Sequence, residues 1–582
     1  MKKTVFDPIC GCLEDFYNSN SHEILRNRDE EFAFVTVPIA SYFNTNPKPT
    51  KAFEILSIAF AKSEERFRDL CQDQGFDDLM AILRRAPIQF MGGANWLTYL
   101  SLGLVKYTNP NLNKPRGVLV ANSTHALVYA WTRETLFVAD RIATLANILD
   151  TIVIVMRLVG KGAKFRPTAI NPLQYEMDSE TTLAVDSYEA RRPQGLFRDQ
   201  GLIAQDTKDI FEINVGEIFV FCFARSRIGS QIMLYEPRQE LTLNVNFMPS
   251  LFRWKPVLYI LESYREAITD LFNVRVEAIA QVLYTLSINV FNTLNLPEKI
   301  DIVKSTGEIK LQLQPSDFSE EFQHKLDFTF SLLRKGYIRF SREHWIKSLS
   351  AIPTPWAPEE SQRRELVEEF FNGLAVTCEK CAVMDLSRLR TYPLLYKAPS
   401  DEFYMDLSGI GDFLRDLIER AKDWFSSQHG DRFTLSVKTM IEKHVPSVKV
   451  IGVKMLVRNE HGGKTECDLI VSAKKKVFVI ECKAHAKSSF FFRGDPAVVQ
   501  QRSSQLTKDL KQAKAAANAF SNECQLPDSP VHGAWDVEFC VCTPSQEFIR
   551  PISKFGWIVP DVPRICTPEE LIKALQGVVG CK

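Results

Sequence analysis

From Gly430 to the end, the chain alternates helical and strand-like segments in an order that restricts its fold. The stretch FTLSVKTMIEKHV predicts a helix whose apolar residues share one face: Phe433, Val437, Met440 and Ile441. Pro446 is expected to end this helix. Three strand-like runs follow, VKVIGVKMLVR, CDLIVSA and KVFVIECKA, and the polar residues 474–476 predict a hairpin turn between the last two.

The rest of this region alternates in the same way. A second helix is expected to run to about Phe520, because its apolar residues recur at intervals of three or four: Val499, Leu506, Leu510, Ala513, Ala517 and Phe520. VEFCVCTP predicts a fourth strand. Thr567 followed by Pro-Glu-Glu predicts a capped final helix. The order α-β-β-β-α-β-α predicts a mixed sheet with helices on its faces.

The preceding part of the chain predicts a large, mainly helical α+β region. Helical spacing appears at Phe53–Asp69, Leu136–Val155 and Val257–Leu294, whereas short apolar runs within Ile210–Tyr235 resemble strands. Three prolines within residues 351–359 indicate an exposed connection, and two further helices are expected after it, at Glu359–Leu374 and Ile410–Phe425. A chain of 582 residues exceeds one core. We therefore expect an N-terminal region at 1–350 (one or two domains), a connection with helices at 351–429 and an α/β domain at 430–582.

The N-terminal residues, the apolar stretches and the cysteines indicate the cellular compartment of the protein. The N-terminus has no apolar run behind its lysines, which argues against a secretory signal. The most apolar stretch, Ile142–Met156, is interrupted by Asn147 and Asp150, so a buried helix is expected and no membrane contact. The 13 cysteines are irregularly spaced and, without an export signal, predict reduced thiols in a cytoplasmic protein. The pairs Cys10/Cys12 and Cys378/Cys381 have no second ligand pair nearby, which disfavours zinc.

Two carboxylates and a lysine are expected to meet at one end of the predicted hairpin. Asp468 begins one strand, and Glu481 and Lys483 lie near the end of the next. Residues two apart on a strand project to the same face, so Glu481 and Lys483 share a face and Cys482 points to the other. Clustered carboxylates repel unless a cation compensates them, and hard oxygen ligands favour magnesium or manganese. Lys483 could then stabilise negative charge on a phosphate or orient the attacking water.

Further ligands are expected near this group. The backbone carbonyl of Cys482 could supply an oxygen, and Glu466 lies two residues before Asp468 on the same strand face. A metal bound there would polarise a phosphoryl oxygen and lower the pKa of its bound water. The arrangement predicts hydrolysis of phosphodiesters.

The segment TECDLIVSAKKKVFVIECKAHA resembles the core of the PD-(D/E)XK, or restriction-endonuclease-like, superfamily, in the style of its Mrr-like and NERD-like branches. The resemblance covers roughly residues 430–570. It implies a restriction-endonuclease-like α/β domain in which Asp468 and Glu481 bind the metal and Lys483 is the catalytic lysine.

One position departs from the pattern of the superfamily, and another position of that pattern has two candidates in this chain. Thr434 stands where Mrr-like proteins tend to place a glutamate, and either Glu442 or Glu466 could replace it. Either Gln501 or Gln505 could supply the glutamine that the superfamily often carries on the following helix.

Charge is concentrated in the same region. Residues 430–520 contain seventeen Lys and Arg against eight Asp and Glu, an excess of nine positive charges in a chain of net charge zero. This excess predicts phosphate-backbone binding by the module, with Lys508 and Lys511 on the outer side of its second helix and Lys514 on its flank.

Together these features predict a Mg²⁺-dependent DNA endonuclease, in restriction or anti-phage defence by analogy with the superfamily. A non-catalytic nucleic-acid or partner-binding protein and a structure-specific repair nuclease are the alternatives, and RNA also remains a candidate substrate. The N-terminal region is expected to regulate the site, to recognise the target, to bind a protein partner or to form a homo-oligomer.

Overall fold

The structure is a computed structural model. It describes the residues in the following ranges: 4–7, 16–85, 96–109, 112, 119–120, 127–191, 219–223, 232–233, 241–246, 249–253, 258, 261–294, 300–303, 308–313, 337–388, 393–398, 402–406, 410–424, 430–458, 462–526, 529–550, 556–560 and 562–580.

Helices form most of the described N-terminal region, as the apolar spacing predicts. They are α1 (Ser21–Ile39), α2 (Pro49–Cys71), α3 (Phe76–Arg85), α4 (Trp96–Tyr107), α5 (Arg133–Gly160), α6 (Ser179–Ala190), α7 (Arg265–Phe272) and α8 (Val276–Leu294). The single helix expected over Val257–Leu294 was wrong in part. Asn273 adopts a left-handed conformation (φ 52°) that caps α7, and the chain starts α8 three residues later.

Helix α5 is the central helix of the N-terminal core. Thr132 caps its first turn, and its buried residues lie on all sides of the helix instead of on one stripe. It is the one described helix that is long and apolar enough to cross a membrane, but 72% of its most apolar window is buried within the protein. The predicted burial of Ile142–Met156 is therefore confirmed.

Short strands accompany these helices. They are β1 (Thr4–Asp7), β2 (Leu119–Val120), β3 (Leu127–Thr132), β4 (Lys164–Phe165), β5 (Tyr175–Glu176), β6 (Phe219–Phe223), β7 (Ile232–Met233), β8 (Leu241–Asn246), β9 (Pro249–Arg253), β10 (Ile300–Val303) and β11 (Glu308–Leu313). Strands β6 and β7 fall within Ile210–Tyr235, where strands were predicted.

A helical segment with a small antiparallel sheet leads to the C-terminal domain. Its elements are β12 (Tyr337–Ser341), α9 (Arg342–Ser350), α10 (Glu360–Leu374), α11 (Cys378–Ala382), β13 (Leu395–Lys397), β14 (Glu402–Asp406) and α12 (Ile410–Trp424). Within the proline-containing connection, Thr354 and Ala357 are buried, so that this stretch packs against its surroundings. Helices α10 and α12 match the two helices expected there.

The C-terminal region contains the predicted elements in the predicted order, and in addition four short elements that were not predicted. Together they are α13 (Gly430–His444), β15 (Lys449–Arg458), β16 (Lys464–Ala473), β17 (Lys476–Cys482), α14 (Ser489–Arg493), α15 (Pro496–Gln525), β18 (Asp536–Cys542), β19 (Trp557–Val559), β20 (Val562–Pro563), β21 (Ile565–Cys566) and α16 (Pro568–Val579). The four that were not predicted are α14, β19, β20 and β21. One sheet has the order β15-β16-β17-β18-β21, antiparallel up to β17 and parallel beyond it. The expected mixed sheet flanked by helices is confirmed.

Each face of this sheet packs against a different set of helices. Leu469, Val471, Phe478 and Ile480 join a large cluster with residues of α13 and α16, and that cluster continues through residues of α7 to α10 and of α12. On the opposite face, Ile470, Val477 and Val479 pack against Ala516 and Phe520 of α15. Hydrophobic packing therefore crosses the boundaries expected at residues 350 and 430.

The N-terminal region also contacts the chain just after β17. Arg157 of α5 donates a hydrogen bond from Nε to the carbonyl of Phe492 over 2.8 Å. Gly160 and Gly494 approach so closely that a Cβ added to Gly160 would lie 2.2 Å from the Gly494 oxygen. Phe491, Val499 and Phe548 form one cluster with Ala184 and Val185 of α6. The segment at 489–495 is thus packed between the two regions.

Candidate active site

The hairpin of β16 and β17 brings the predicted site together. Its turn consists of Lys474 and Lys475, and Lys474 adopts the left-handed conformation (φ 57°) that tight hairpins require. The ladder runs from the Ala473–Lys476 pair to the Leu469–Ile480 pair. Asp468 and Glu481 come directly after that last pair, so the two carboxylates lie next to each other across the strands.

Three predicted side chains meet at this end of the hairpin. The ammonium Nζ of Lys483 lies 2.8 Å from Oε2 of Glu481 and 3.7 Å from Oδ2 of Asp468. The same Asp468 oxygen accepts a hydrogen bond of 2.9 Å from the backbone N–H of Cys482. The backbone N–H of Lys483 donates to the carbonyl of Cys542, which extends the pairing of β17 with β18 by one residue.

Glu481 is the most unusual group of the three. It is 1% exposed, and among the described residues its Oε1 has no hydrogen-bond partner. Its other oxygen accepts hydrogen bonds from Lys483 and, over 3.0 Å, from Nε2 of Gln512. Burial raises the pKa of Glu481, and the charge of Asp468 adds to this, so that the pKa stays above its usual range although Lys483 lowers it. A buried acceptor of this kind is costly unless a cation or a proton reaches it.

Lys483 is held in its charged form. Burial lowers the pKa of its ammonium group, but the hydrogen bond and charge of Glu481 and the charge of Asp468 outweigh burial, and the net pKa is raised. The site therefore keeps a positive charge beside two carboxyl groups.

The other predicted residues are placed less centrally. Glu466 is exposed, and no group of three or more His, Cys, Asp and Glu side chains among the described residues is arranged to hold a metal. The side chain of Cys482 points into the core on the face opposite Glu481, as predicted, and burial raises the pKa of its thiol. Glu442 is exposed and paired with Lys438, 3.6 Å away. Within the part of the chain that the structure describes, Asp468 and Glu481 are thus brought together without a third acidic ligand.

The glutamine that contacts the site is Gln512, which the sequence prediction missed. Gln505 donates to Asp509 over 2.9 Å instead, and Gln501 is exposed. Gln512 is seven residues after Gln505 and therefore on the same face of α15. A scan of that face beyond Gln505 would have found it.

Thr434 occupies the position of the glutamate that is missing from α13. It is 3% exposed, and a hydrogen bond between it and the Cys482 thiol partly offsets the rise that burial causes in the pKa of that thiol. Thr434 thus lies on the core side of β17, opposite the face that carries Glu481.

A second polar group lies beyond Lys483. Nε2 of His485 is 3.2 Å from Oδ2 of Asp509, whose other oxygen accepts the hydrogen bond from Gln505. Asp509 is 3% exposed. Burial raises the pKa of Asp509, but the hydrogen bonds from His485 and Gln505 outweigh burial and lower it overall.

The segment after the site is fixed by a buried ion cluster. The ammonium group of Lys487 donates to the carbonyl of Gln546 and lies 3.6 Å from Glu547. Arg502 of α15 binds the same Glu547 carboxylate with two of its nitrogens. These contacts tie the chain beyond Lys483 to α15 and to the loop after β18.

Comparison with known families agrees with this geometry. The model of the nuclease-related domain, NERD, matches residues 430–535. The C-terminal region contains a NERD domain. NERD has the restriction-endonuclease-like fold, so the resemblance predicted from the sequence is confirmed. The match includes α13, the hairpin with Asp468, Glu481 and Lys483, and all of α15. No match to a curated protein or to a solved structure was found.

Proposed function

We propose that this chain is a metal-dependent endonuclease that hydrolyses DNA phosphodiester bonds at the site formed by Asp468, Glu481 and Lys483. The NERD domain supports a nuclease-related function in general terms. The observation that carries the finer proposal is the buried Oε1 of Glu481, which has no hydrogen-bond partner among the described residues and lies beside a second carboxyl group.

The residues present fit a magnesium or manganese ion. Asp468 and Glu481 would hold it, and the Cys482 carbonyl is a candidate third oxygen. Two carboxylates suffice, because Mg²⁺ retains several waters and binds proteins through one or two carboxylates. When bound, the ion would supply a polarised phosphoryl oxygen and an acidified water.

The chain's own groups would orient the substrate. The ammonium of Lys483, which lies 2.8 Å from Glu481, would neutralise charge on a non-bridging phosphate oxygen. Gln512 keeps the Glu481 carboxyl in one orientation through its hydrogen bond. The hydrogen bond from the Cys482 N–H does the same for Asp468.

Helix α15 offers a surface for the DNA backbone next to this site. Lys508, Lys511 and Lys514 are exposed, whereas Leu506 and Ala513 on the other side of the helix are buried. Lys508 precedes Gln512 by one helical turn, so it lies on the same side of α15 as the residue that contacts Glu481. Phosphate contacts there would position a strand without reading its sequence.

Plasmid cleavage tests the proposal. Wild type and Glu481→Gln are incubated with supercoiled DNA and Mg²⁺, with and without EDTA. Glu481→Gln keeps the size of the side chain and removes its charge, so we expect a folded protein with at least about 100-fold slower cleavage. Glu466→Gln and Glu442→Gln are the matched controls, and we expect both to cleave at close to the wild-type rate.

Three outcomes would contradict the proposal. Equal cleavage by wild type and Glu481→Gln would exclude the site, and cleavage unaffected by EDTA would exclude the metal. If the wild type binds DNA but cleaves neither linear, branched nor single-stranded DNA, nor RNA, the chain is a binding protein with a nuclease-like fold. Preferential cleavage of branched DNA would instead indicate a repair nuclease.

The biological role is a separate proposal. Restriction or anti-phage defence in the cytoplasm would require the same catalytic residues. Cells that express the wild type, but not those that express Glu481→Gln, should then yield fewer phage plaques. Equal plaque numbers with both proteins would contradict the defence role and leave the enzymatic proposal intact.

A further inference from the structure

We propose that His485 is an additional catalytic residue, a general acid that protonates the 3′ oxygen leaving the scissile phosphate, and that Asp509 positions it. This inference rests on the proposed nuclease function. It starts from the hydrogen-bonded pair of His485 and Asp509, which has no part in the roles proposed for Asp468, Glu481 and Lys483.

The His485–Asp509 pair differs from an ordinary surface contact, because its carboxylate is buried and fully hydrogen-bonded. Asp509 is 3% exposed, yet both of its oxygens are occupied, one by Nε2 of His485 at 3.2 Å and one by Gln505 at 2.9 Å. The His485 side chain is 37% exposed, so part of the ring reaches solvent or a substrate. A carboxylate bound to one ring nitrogen orients the ring and leaves the other nitrogen available.

The place of His485 in the chain brings it close to Lys483. His485 is two residues after Lys483, so their Cα atoms are at most about 7 Å apart. Asp509 acts on Lys483 through its charge, which contributes to the raised pKa of that lysine. Helix α15 therefore contacts both groups: Gln512 is hydrogen-bonded to Glu481, and Asp509 is hydrogen-bonded to His485. A phosphate that contacts Lys483 would have the imidazole as its neighbour.

His485 supplies the proton that the leaving oxygen takes up during hydrolysis. A water oxygen bonds to phosphorus and its proton passes to solvent. The P–O3′ bond breaks, its electron pair stays on the 3′ oxygen, and that oxygen takes the proton from the His485 imidazolium. The products are a 5′-phosphate and a 3′-hydroxyl, and His485 regains a proton from solvent. Proton transfer to a poor leaving group typically contributes about 10²–10⁴-fold to the rate.

A substrate with an activated leaving group tests this role. Oligonucleotide duplexes carry the linkage that the wild type cuts, either as ordinary DNA or with sulfur in place of the bridging 3′ oxygen, because a thiolate leaves without a proton. We expect His485→Ala to cleave ordinary DNA about 10²–10⁴-fold more slowly than wild type, and the sulfur linkage less than about tenfold more slowly.

Three further variants separate chemistry from folding. His485→Gln can still donate a hydrogen bond to Asp509 but not transfer the proton, so it should show the same selective loss. Asp509→Asn should show a smaller one. His532→Ala is the matched control, since His532 is exposed and lies within the NERD match. We expect it to cleave both substrates like the wild type.

The outcomes distinguish this inference from the proposed function. Equal losses on both linkages for His485→Ala, or products with a 3′-phosphate, would overturn the role of His485 while the nuclease remains. Glu481→Gln should be slow on both linkages. A wild type that cleaves neither linkage would refute the nuclease itself and the role of His485 with it.

Discussion

The close approach of Gly160 to Gly494 can be tested with one methyl group. In Gly160→Ala the new Cβ would lie 2.2 Å from the carbonyl oxygen of Gly494 and 2.7 Å from its carbonyl carbon. Both are backbone atoms, so no side chain can rotate away. The end of α5 and the segment at 489–495 must therefore separate.

The cost of this separation follows from two contacts. Overpacking at a tight contact costs about 1–3 kcal/mol. Moving the backbones apart also weakens the hydrogen bond from Arg157 to the Phe492 carbonyl, worth about 1 kcal/mol. Alanine in a helix offsets at most about 1 kcal/mol of this. The net destabilisation of the contact is about 2 kcal/mol, or roughly a 30-fold change in its opening equilibrium.

Hydrogen exchange measures this opening in the full chain. The amides of Gly494 and Asp495 donate hydrogen bonds within the segment, and that of Phe491 donates to the adjacent Ser488, so all three report on it directly. We expect them to exchange roughly 30-fold faster in Gly160→Ala than in wild type. Gly577→Ala is the matched control, since Gly577 lies in α16 and an added Cβ would meet no atom within 4 Å.

A second pair of variants separates strain from collision. Gly494 has a φ of 88°, and Gly462 has a φ of 76° with nothing near its added Cβ. Alanine is strained at either position because φ is positive, but at Gly494 its Cβ would also collide with the backbone of α5. Gly494→Ala should therefore destabilise the protein more than Gly462→Ala. Unchanged exchange of the segment in Gly160→Ala, or equal effects of Gly494→Ala and Gly462→Ala, would refute the reasoning.

Three further predictions concern the same domain. Hydrogen bonds from Arg458 lower the pKa of Glu523 to about 2, so this carboxylate stabilises the fold above its ordinary pKa of 4.5. Urea unfolding should find Glu523→Gln less stable than wild type at pH 7, with a difference that shrinks as the pH falls from 4.5 towards 2; a constant difference would contradict it. Lys508→Ala and Lys511→Ala should each reduce the slope of log affinity for DNA against log salt by about 0.9, and unchanged slopes would place the DNA elsewhere. Thr567→Ala should cost about 1 kcal/mol of stability in urea unfolding, because it removes the capping box of α16, and no loss would contradict that role.

The sequence was most informative where local chemistry decides the structure. The period of the apolar residues located α13, α15 and the strands, and the lysine turn joined β16 to β17. The hairpin then placed Asp468 beside Glu481 and Lys483, because antiparallel pairing brings residues distant in sequence into fixed contact. Asn273 could also have been recognised as a helix end, since asparagine often adopts the left-handed conformation there.

Other features depend on long-range packing. Whether Gln505 or Gln512 reaches Glu481 depends on the position of α15 along the sheet. Packing of Ala516 against Cys467 and Ile470 determines that position. Side-chain alternation predicted the strand face of Glu466. It does not predict burial, and Glu466 is exposed.

The contact between Gly160 and Gly494 left no signal in the sequence at all. The two glycines are more than 300 residues apart, and neither stands in a recognisable motif.

The contact between α5, α6 and the segment at 489–495 has an evolutionary consequence. Phe491, Val499 and Phe548 of the C-terminal region are buried against Ala184 and Val185. A recombination event that joined residues 430–582 to an unrelated N-terminal region would expose these aromatic and aliphatic side chains and leave the glycine contact without its partner. In this lineage the NERD domain is therefore expected to be inherited together with helices α5 and α6, and changes at positions 160 and 494 should occur together.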